Sequence, residues 1–531
     1  MGRVCCALVL TGLLLSLAEA DENQQSNKPR QAAAKPQVTI SKATTFFTEP
    51  LTEAGLVDYT AAINQRLGQG VTPQNNANVL FWQALGPTPG KTVMPEKFFP
   101  SMGMAVPPKQ GDYYLDLTEY IQQRLRIATN DDAYLKVVGQ QGQASYRPWK
   151  AAQYPQMVTW IEANEKPLAL VVQGTKRPKY FSPLHIPQGE DEAPATMISV
   201  LLPAVQKARS FARILSARAM LHAGEGRPAE AWQDLLAVHR LARLVGQGPT
   251  LIEGLVGVAI NNMAVKSDLA FVEHSRPDAR LSRKYLADLA ALPPLPDFAD
   301  KVDLGERCMY LDVTQMLSQE GVTNLSMLTG AQNDNGGVLG KLATSVIDWD
   351  TTLRIGNGWY DRLAKIMRIE DRAQRKWELG KVEQDLKKLN EKHRGFLKGA
   401  SLLLGSNKVR GEAMSDILIA LLLPAVARVQ QAEDRAVQQD ANLRIAIALA
   451  GYRTQHGNYP DSLDALTPDL LKQVPLDLFS GKPLNYSRTK DGYLLYSIGP
   501  NEKDEGGRYY DDEPRGDDPR VRMPLPPEDD N

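Results

Sequence analysis

Asp348, Asp350 and Asp361 stand among Trp349, Trp359 and Tyr360, and carboxylates beside aromatic rings are the residue types that cleave glycosides. In that chemistry one carboxyl protonates the leaving oxygen while the other acts as base or nucleophile. The same residues have a plainer use, with Asp350 capping a helix that begins at Thr351 and the rings packed. His185, His222, His239, His274, His393 and His456 are scattered along the chain. His222 and His239 fall on the two arms of one helical hairpin, where a core or surface histidine is the alternative to a metal pair. Cys308 lies in Glu306-Arg307-Cys308-Met309-Tyr310-Leu311, which reads as helix. A buried small residue is the plain reading there, and a nucleophile would need a partner from elsewhere in the fold. No H-E-x-x-H, G-x-S-x-G, C-x-x-C or phosphate-loop pattern occurs. Gly336-Gly337-Val338-Leu339-Gly340-Lys341 has the wrong spacing, with Leu342 where Ser or Thr would bind magnesium.

These residues need elements to hold them, and the chain of 531 residues is long enough for several cores. Hydrophobic residues at 43% and charged residues at 23% are ordinary globular values. Lys plus Arg, at 61, nearly cancels Asp plus Glu, at 62, so no global field points to nucleic acid. Locally the charge is uneven. Residues 366–398 are rich in Lys and Arg and the chain from Glu502 onward is acidic, which reads as a solvated helix face and a soluble tail.

Met1-Gly2-Arg3, the apolar run 4–17 and Ala18-Glu19-Ala20 make a cleavable secretory signal over residues 1–20. Its apolar run is shorter than the roughly 20 residues a membrane helix needs. Cleavage would remove Cys5 and Cys6 and leave Cys308 alone, so internal disulfides cannot hold the mature chain. Residues 21–43 read as a disordered linker, and 44–195 as a mixed region punctuated by Pro and Gly. Within it, 58–67 and 76–85 have helical spacing, and Ala169-Leu170-Val171-Val172 is either a strand or the tail of a helix starting near Tyr154. Residues 196–410 form a helical body. Gly224, Gly226 and Pro228 separate two arms of a tetratricopeptide-like hairpin, and 361–397 reads as one long charged helix. Leu201-Leu202-Pro203-Ala204-Val205 recurs as Leu422-Leu423-Pro424-Ala425-Val426, each opening a helix.

Residues 411–510 read as a small α+β domain followed by an acidic, Pro-rich tail over 511–531. An apolar stretch ending at Leu423-Pro424 leads into a helix that closes at Gly457-Asn458-Tyr459-Pro460. Asp477 through Tyr486 is a turn entering a strand, and Leu495-Tyr496-Ser497-Ile498-Gly499 leads to a polar loop holding Gly506-Gly507. In this order the segments resemble the soluble domain of the type II secretion major pseudopilin. That resemblance implies a long helix packed on a short antiparallel sheet. It also implies a calcium ion in the last loop, with Asn501 and Asp504 and the later Asp511 or Asp512 as oxygen ligands. The assembly helix is internal and short here, unlike a pilin's. Other segments, Asp58-Tyr59 through Gly86-Pro87, Tyr180-Phe181-Ser182-Pro183, Ala231 through Leu236 and Gly305-Glu306-Arg307, are similar to large exported proteins of planctomycete type.

The expected fold is therefore mainly α, with a helical-hairpin body and a small pseudopilin-like α+β domain at the C-terminus. The expected function is that of an exported, periplasmic or extracellular, non-catalytic structural or interaction protein, its last loop either a calcium site or a polar turn without an ion closed by Gly506-Gly507. Its partners would be proteins of the cell envelope, with no nucleic acid and no transmembrane helix in the mature chain. The alternative is an exported hydrolase using the carboxylates of the helical body.

Overall fold

A computed structural model describes residues 38–186, 196–200, 202–321, 347–394, 406–423 and 426–527. The expected signal, most of the linker, the Gly336–Lys341 run and Pro424-Ala425 lie outside them. The longer helices are α1 (Tyr59–Leu67), α2 (Ala77–Leu85), α3 (Asp132–Tyr146), α4 (Pro155–Ala163), α5 (Glu165–Gly174), α6 (Pro203–Gly224) and α7 (Pro228–Val245). They continue with α8 (Leu251–Ser275), α9 (Ala279–Ala290), α10 (Arg307–Glu320), α11 (Trp349–Met367), α12 (Arg372–Arg394), α13 (Asn407–Leu422) and α14 (Val426–His456). Three short strands, β1 (Asn485–Arg488), β2 (Tyr493–Tyr496) and β3 (Arg520–Met523), form one antiparallel sheet in the order β1-β2-β3. Mainly α with a small sheet near the C-terminus is the observed class.

Local chemistry sets the helix ends. Asn76 caps α2 by accepting from Asn78 N, and Thr250 and Glu253 close a reciprocal capping box on α8. Pro203 and Pro228 occupy the first turns of α6 and α7, where a missing N–H costs nothing. Between those two helices Gly226 takes φ +75°, which an L side chain resists. Ala169 through Val172 lie within α5, which is a helix separate from α4. The charged stretch expected as one helix is two, α11 and α12, with the break at 368–371.

The chain divides into two compact units, and both are discontinuous in sequence. The first takes the described parts of Met1–Tyr59, Met309–Trp359 and Gln384–Leu423. Gln315 there exchanges hydrogen bonds with the Val57 backbone, donating to its O and accepting from its N, each 3.1 Å. Tyr310 Oη donates to Thr352 O at 3.0 Å, and the ring lies where a Cβ on residue 356 would stand, so that position is glycine. Residues 38–43, at the end of the expected linker, form a turn from which Thr39 N donates to Asp350 Oδ1 at 2.7 Å.

The second unit takes Thr60–Cys308, Tyr360–Glu383 and the described part of Pro424–Asn531. Its centre is α8, which packs on α6, α7 and α14. By length and composition α8 is apolar enough to cross a membrane, and most of that apolar window is buried among its neighbours. Helix α14 lies against α8 and α9 and carries the sheet on its other side. Leu443, Ile447 and Leu449 of α14 share one apolar core with Phe211, Leu235 and Phe271 of the body and with Leu495 and Val521 of the sheet.

The linear boundaries read at 195/196 and 410/411 are not the edges of these units. The stretch read as an acidic tail supplies β3, whose Val521 and Met523 turn inward while Arg520 and Arg522 alternate with them. Val521 pairs with Leu495 and Met523 with Tyr493, so four apolar side chains share the face toward α14.

Candidate metal centre

The loop from β2 to β3 folds back on itself and gathers three carboxylates. Ligand oxygens of Glu505, Asp517 and Asp518 lie within 4.8 Å of one another. Backbone amides fix each of them. Asp518 Oδ2 accepts from Glu505 N at 3.0 Å and Gly507 N at 2.9 Å, Glu505 Oε2 accepts from Asp517 N at 2.7 Å, and Asp517 Oδ2 accepts from Asn501 N at 3.2 Å. Gly507 reaches Asp518 only by taking φ +76°, a conformation glycine adopts freely.

Asp518 is fully buried, and its Oδ1 has no hydrogen-bond partner; Asp517 Oδ1 is buried and unpartnered as well. A buried carboxylate oxygen without a partner costs free energy that a bound cation would recover. Burial raises the Asp518 carboxyl to about 6, the two amides oppose the rise, and the Glu505 and Asp504 charges add to it. Asp517 is also raised, chiefly by burial, against the Asn501 amide, with the Glu505 charge adding to the rise. Three like charges held at this spacing by backbone amides form an oxygen-only donor set on a loop. That chemistry fits a hard divalent cation such as calcium, which takes six to eight oxygens in flexible geometry.

The ligands expected from sequence sit elsewhere. Asn501 Oδ1 accepts from Lys503 N at 2.6 Å, so its side chain closes a turn while its amide orients Asp517. Asp504 Oδ1 accepts from Gly506 N at 2.9 Å and from Tyr496 Oη at 3.1 Å. Asp511 pairs with Arg520 at 3.1 Å, and Asp512 pairs with the same guanidinium while accepting from Tyr509 N. Asp511 and Asp512 thus meet at Arg520, whereas Asn501 and Asp504 close local turns. Sequence reading missed Glu505, Asp517 and Asp518. Their signal was present as a Gly516-Asp517-Asp518 step directly before the alternating Arg520–Met523.

The carboxylates of the helical body are engaged in other ways. Asp348 accepts from Thr351 N at 3.0 Å and from Thr351 Oγ1 at 2.7 Å; burial opposes its ionisation, but these bonds hold its carboxyl below the usual value. Asp350 accepts from Thr39 N and pairs with Arg354 at 3.4 Å. Asp361 belongs to the other unit and pairs with Arg307 at 2.7 Å. Trp349 and Tyr360 are buried. His222 Nδ1 accepts from Arg227, while His239 is buried with Nε2 2.7 Å from Asp268 Oδ2 and Nδ1 3.3 Å from Asn261 Oδ1. Cys308 is buried.

Comparison of the chain with protein-family models, with curated proteins and with solved structures finds no match.

Proposed function

We propose that this chain is an exported, non-catalytic structural or interaction protein whose C-terminal helix-and-sheet region is completed by a calcium ion. The observation that carries this reading is the buried Asp518, with one oxygen unpartnered beside Asp517 and Glu505. The order of long helix, tyrosine-rich turn, short sheet and acidic Gly-Gly loop supports the kinship with the soluble domain of the type II secretion major pseudopilin. The apolar run at 4–17 with Ala18-Glu19-Ala20 supports export. The hydrolase alternative has no observation in its favour, since Asp348 caps a helix and Asp361 is ion-paired.

Thermal unfolding of the full chain in chelator, in calcium and in magnesium tests the reading. A ligand at 100 times its Kd stabilises the folded state by about 2.7 kcal/mol. Calcium is expected to raise Tm by several degrees over chelator, with magnesium less effective because it demands tighter octahedral geometry. An unchanged Tm in all three would overturn the calcium assignment. N-terminal sequencing of the exported protein should begin at Asp21, and retention of residues 1–20 would contradict cleavage.

A further inference from the structure

A second feature of the larger unit lies apart from the acidic loop. The C-terminal ends of α8 and α14 converge, with Thr454 Oγ1 of α14 lying 3.1 Å from Pro277 O just past the end of α8. Beside them the turn between β1 and β2 and the end of β3 close a cavity of about 450 Å³. That size falls in the range of small-molecule sites, roughly 300–1,000 Å³. Its lining is mixed, with Val272, Ala450, Tyr493 and Met523 supplying apolar surface. Four charged side chains share the lining, Arg276 and Arg453 with Glu273 and Asp491.

Neither guanidinium has a carboxylate partner among the described residues, although two acids line the same cavity. Arg453 is held by Tyr459, donating to its Oη at 3.2 Å and lying 4.9 Å from the ring centroid. That contact fixes the direction of the side chain and leaves its other N–H groups free to donate. Glu273 Oε1 accepts from Leu525 N at 2.7 Å, which fixes that carboxylate in turn. Cations at helix C-termini are favoured by the carbonyls there, which accounts for where the two arginines stand. Arg276 and Asp491 are exposed and Arg453 and Glu273 half-buried, so the cavity presents both signs of charge at its open side beside its apolar residues.

We infer that this cavity binds a small zwitterion with an apolar body, its carboxylate on Arg453 and Arg276 and its ammonium on Glu273 and Asp491. A planar guanidinium matches a carboxylate bidentately. The balanced rim charge selects a ligand carrying both signs over a simple anion or cation. A free aromatic amino acid and a short peptide with both termini share this chemistry, and the peptide fills the volume better. The inference is independent of the calcium site.

The test is isothermal titration of the full chain with the dipeptide Leu-Phe, its N-acetyl form, its C-terminal amide, and free phenylalanine as the amino-acid arm. Leu-Phe is expected to bind saturably at one site. The amide should bind wild type at least tenfold more weakly, and R453Q, which keeps Arg276, should narrow that difference. D491N, which keeps Glu273, should likewise narrow the difference between Leu-Phe and its acetyl form. Weaker binding of phenylalanine than of Leu-Phe assigns the peptide as ligand, and the reverse assigns the amino acid. No saturable heat with either zwitterion, equal binding of all three dipeptide forms to wild type, or unaltered discrimination in R453Q would overturn the proposal. If R453Q fails to fold, R276Q carries the same comparison, and the wild-type comparison needs no variant.

Discussion

Asp518 is a carboxylate whose folded environment disfavours its charge, and it has company in the same unit. Burial raises Glu306 to about 7 against the Leu251 amide, and raises Glu433 to about 7, with the Asp297 and Asp434 charges adding to it. Burial lowers Lys301 to about 8, against the Glu253 charge, with its ammonium donating to Gly246 O at 2.5 Å and to Gly248 O. A raised carboxyl pKa contributes stability below the unfolded value, near 4.5, that is lost as pH rises through the folded value near 7. A depressed lysine contributes stability above 10.5 that is lost as pH falls through about 8. In chelator these carboxyls should therefore make Tm fall as pH rises from about 5 to 7, opposed by His222 and His185, whose values burial depresses. Tm should be lowest between about 7 and 8 and recover above that. Glu433→Gln should flatten the acid-side fall, and a pH–Tm series on both proteins checks it. Added calcium should remove the part due to Asp518, because a bound cation favours its ionised form. The sequence displays these acids without their surroundings. Asp511 and Asp512 look as suitable as Asp517 and Asp518 until Arg520 takes the first pair.

At the scale of elements, the join between the body and α14 is polar as well as apolar. Arg243 of α7 donates to Asn261 Oδ1 of α8 at 2.9 Å and to Asp440 Oδ2 of α14 at 3.0 Å, and Asn261 Nδ2 donates to Asp440 Oδ1 at 2.8 Å. Asp440→Ala strips the partner from a nearly buried guanidinium and should cost roughly 3 kcal/mol in denaturant unfolding. A change under about 0.5 kcal/mol, ordinary for a surface site, would show that the three helices are held without it. In β2, Leu495→Ala should cost about 2–5 kcal/mol, since the side chain lies wholly inside the core shared by sheet and helix. Most helices were legible because apolar spacing, Pro starts and Gly stops agree along 203–290. The break between α11 and α12 was not, because charged helical spacing continues across 368–371 without Pro or Gly. Strand β3 was hidden by its brevity and by two arginines in an acid-rich, Pro-rich stretch.

The whole molecule follows divisions that no linear reading supplies, since each unit is assembled from three separated stretches. Periodicity reports which face of an element is apolar but not which distant element covers it, so α14 read as the start of a separate domain. Its Leu443, Ile447 and Leu449 are buried in the same core as α6, α7 and α8. A fragment of residues 411–510 should accordingly fail to unfold cooperatively. It lacks the body that covers α14, and it lacks β3 and two of the three clustered carboxylates, Asp517 and Asp518. Circular dichroism melts of the fragment and the full chain make the comparison, and a sharp two-state melt of the fragment would count against a shared core.

The most direct measurement of the calcium assignment is equilibrium dialysis of the full chain against labelled calcium, for wild type and Asp518→Asn. The expected result is one saturable ion per wild-type chain, with affinity reduced at least tenfold in the variant while its fold is retained. Equal binding by the two proteins, or no saturable binding by wild type, would contradict a metal centre built on Glu505, Asp517 and Asp518.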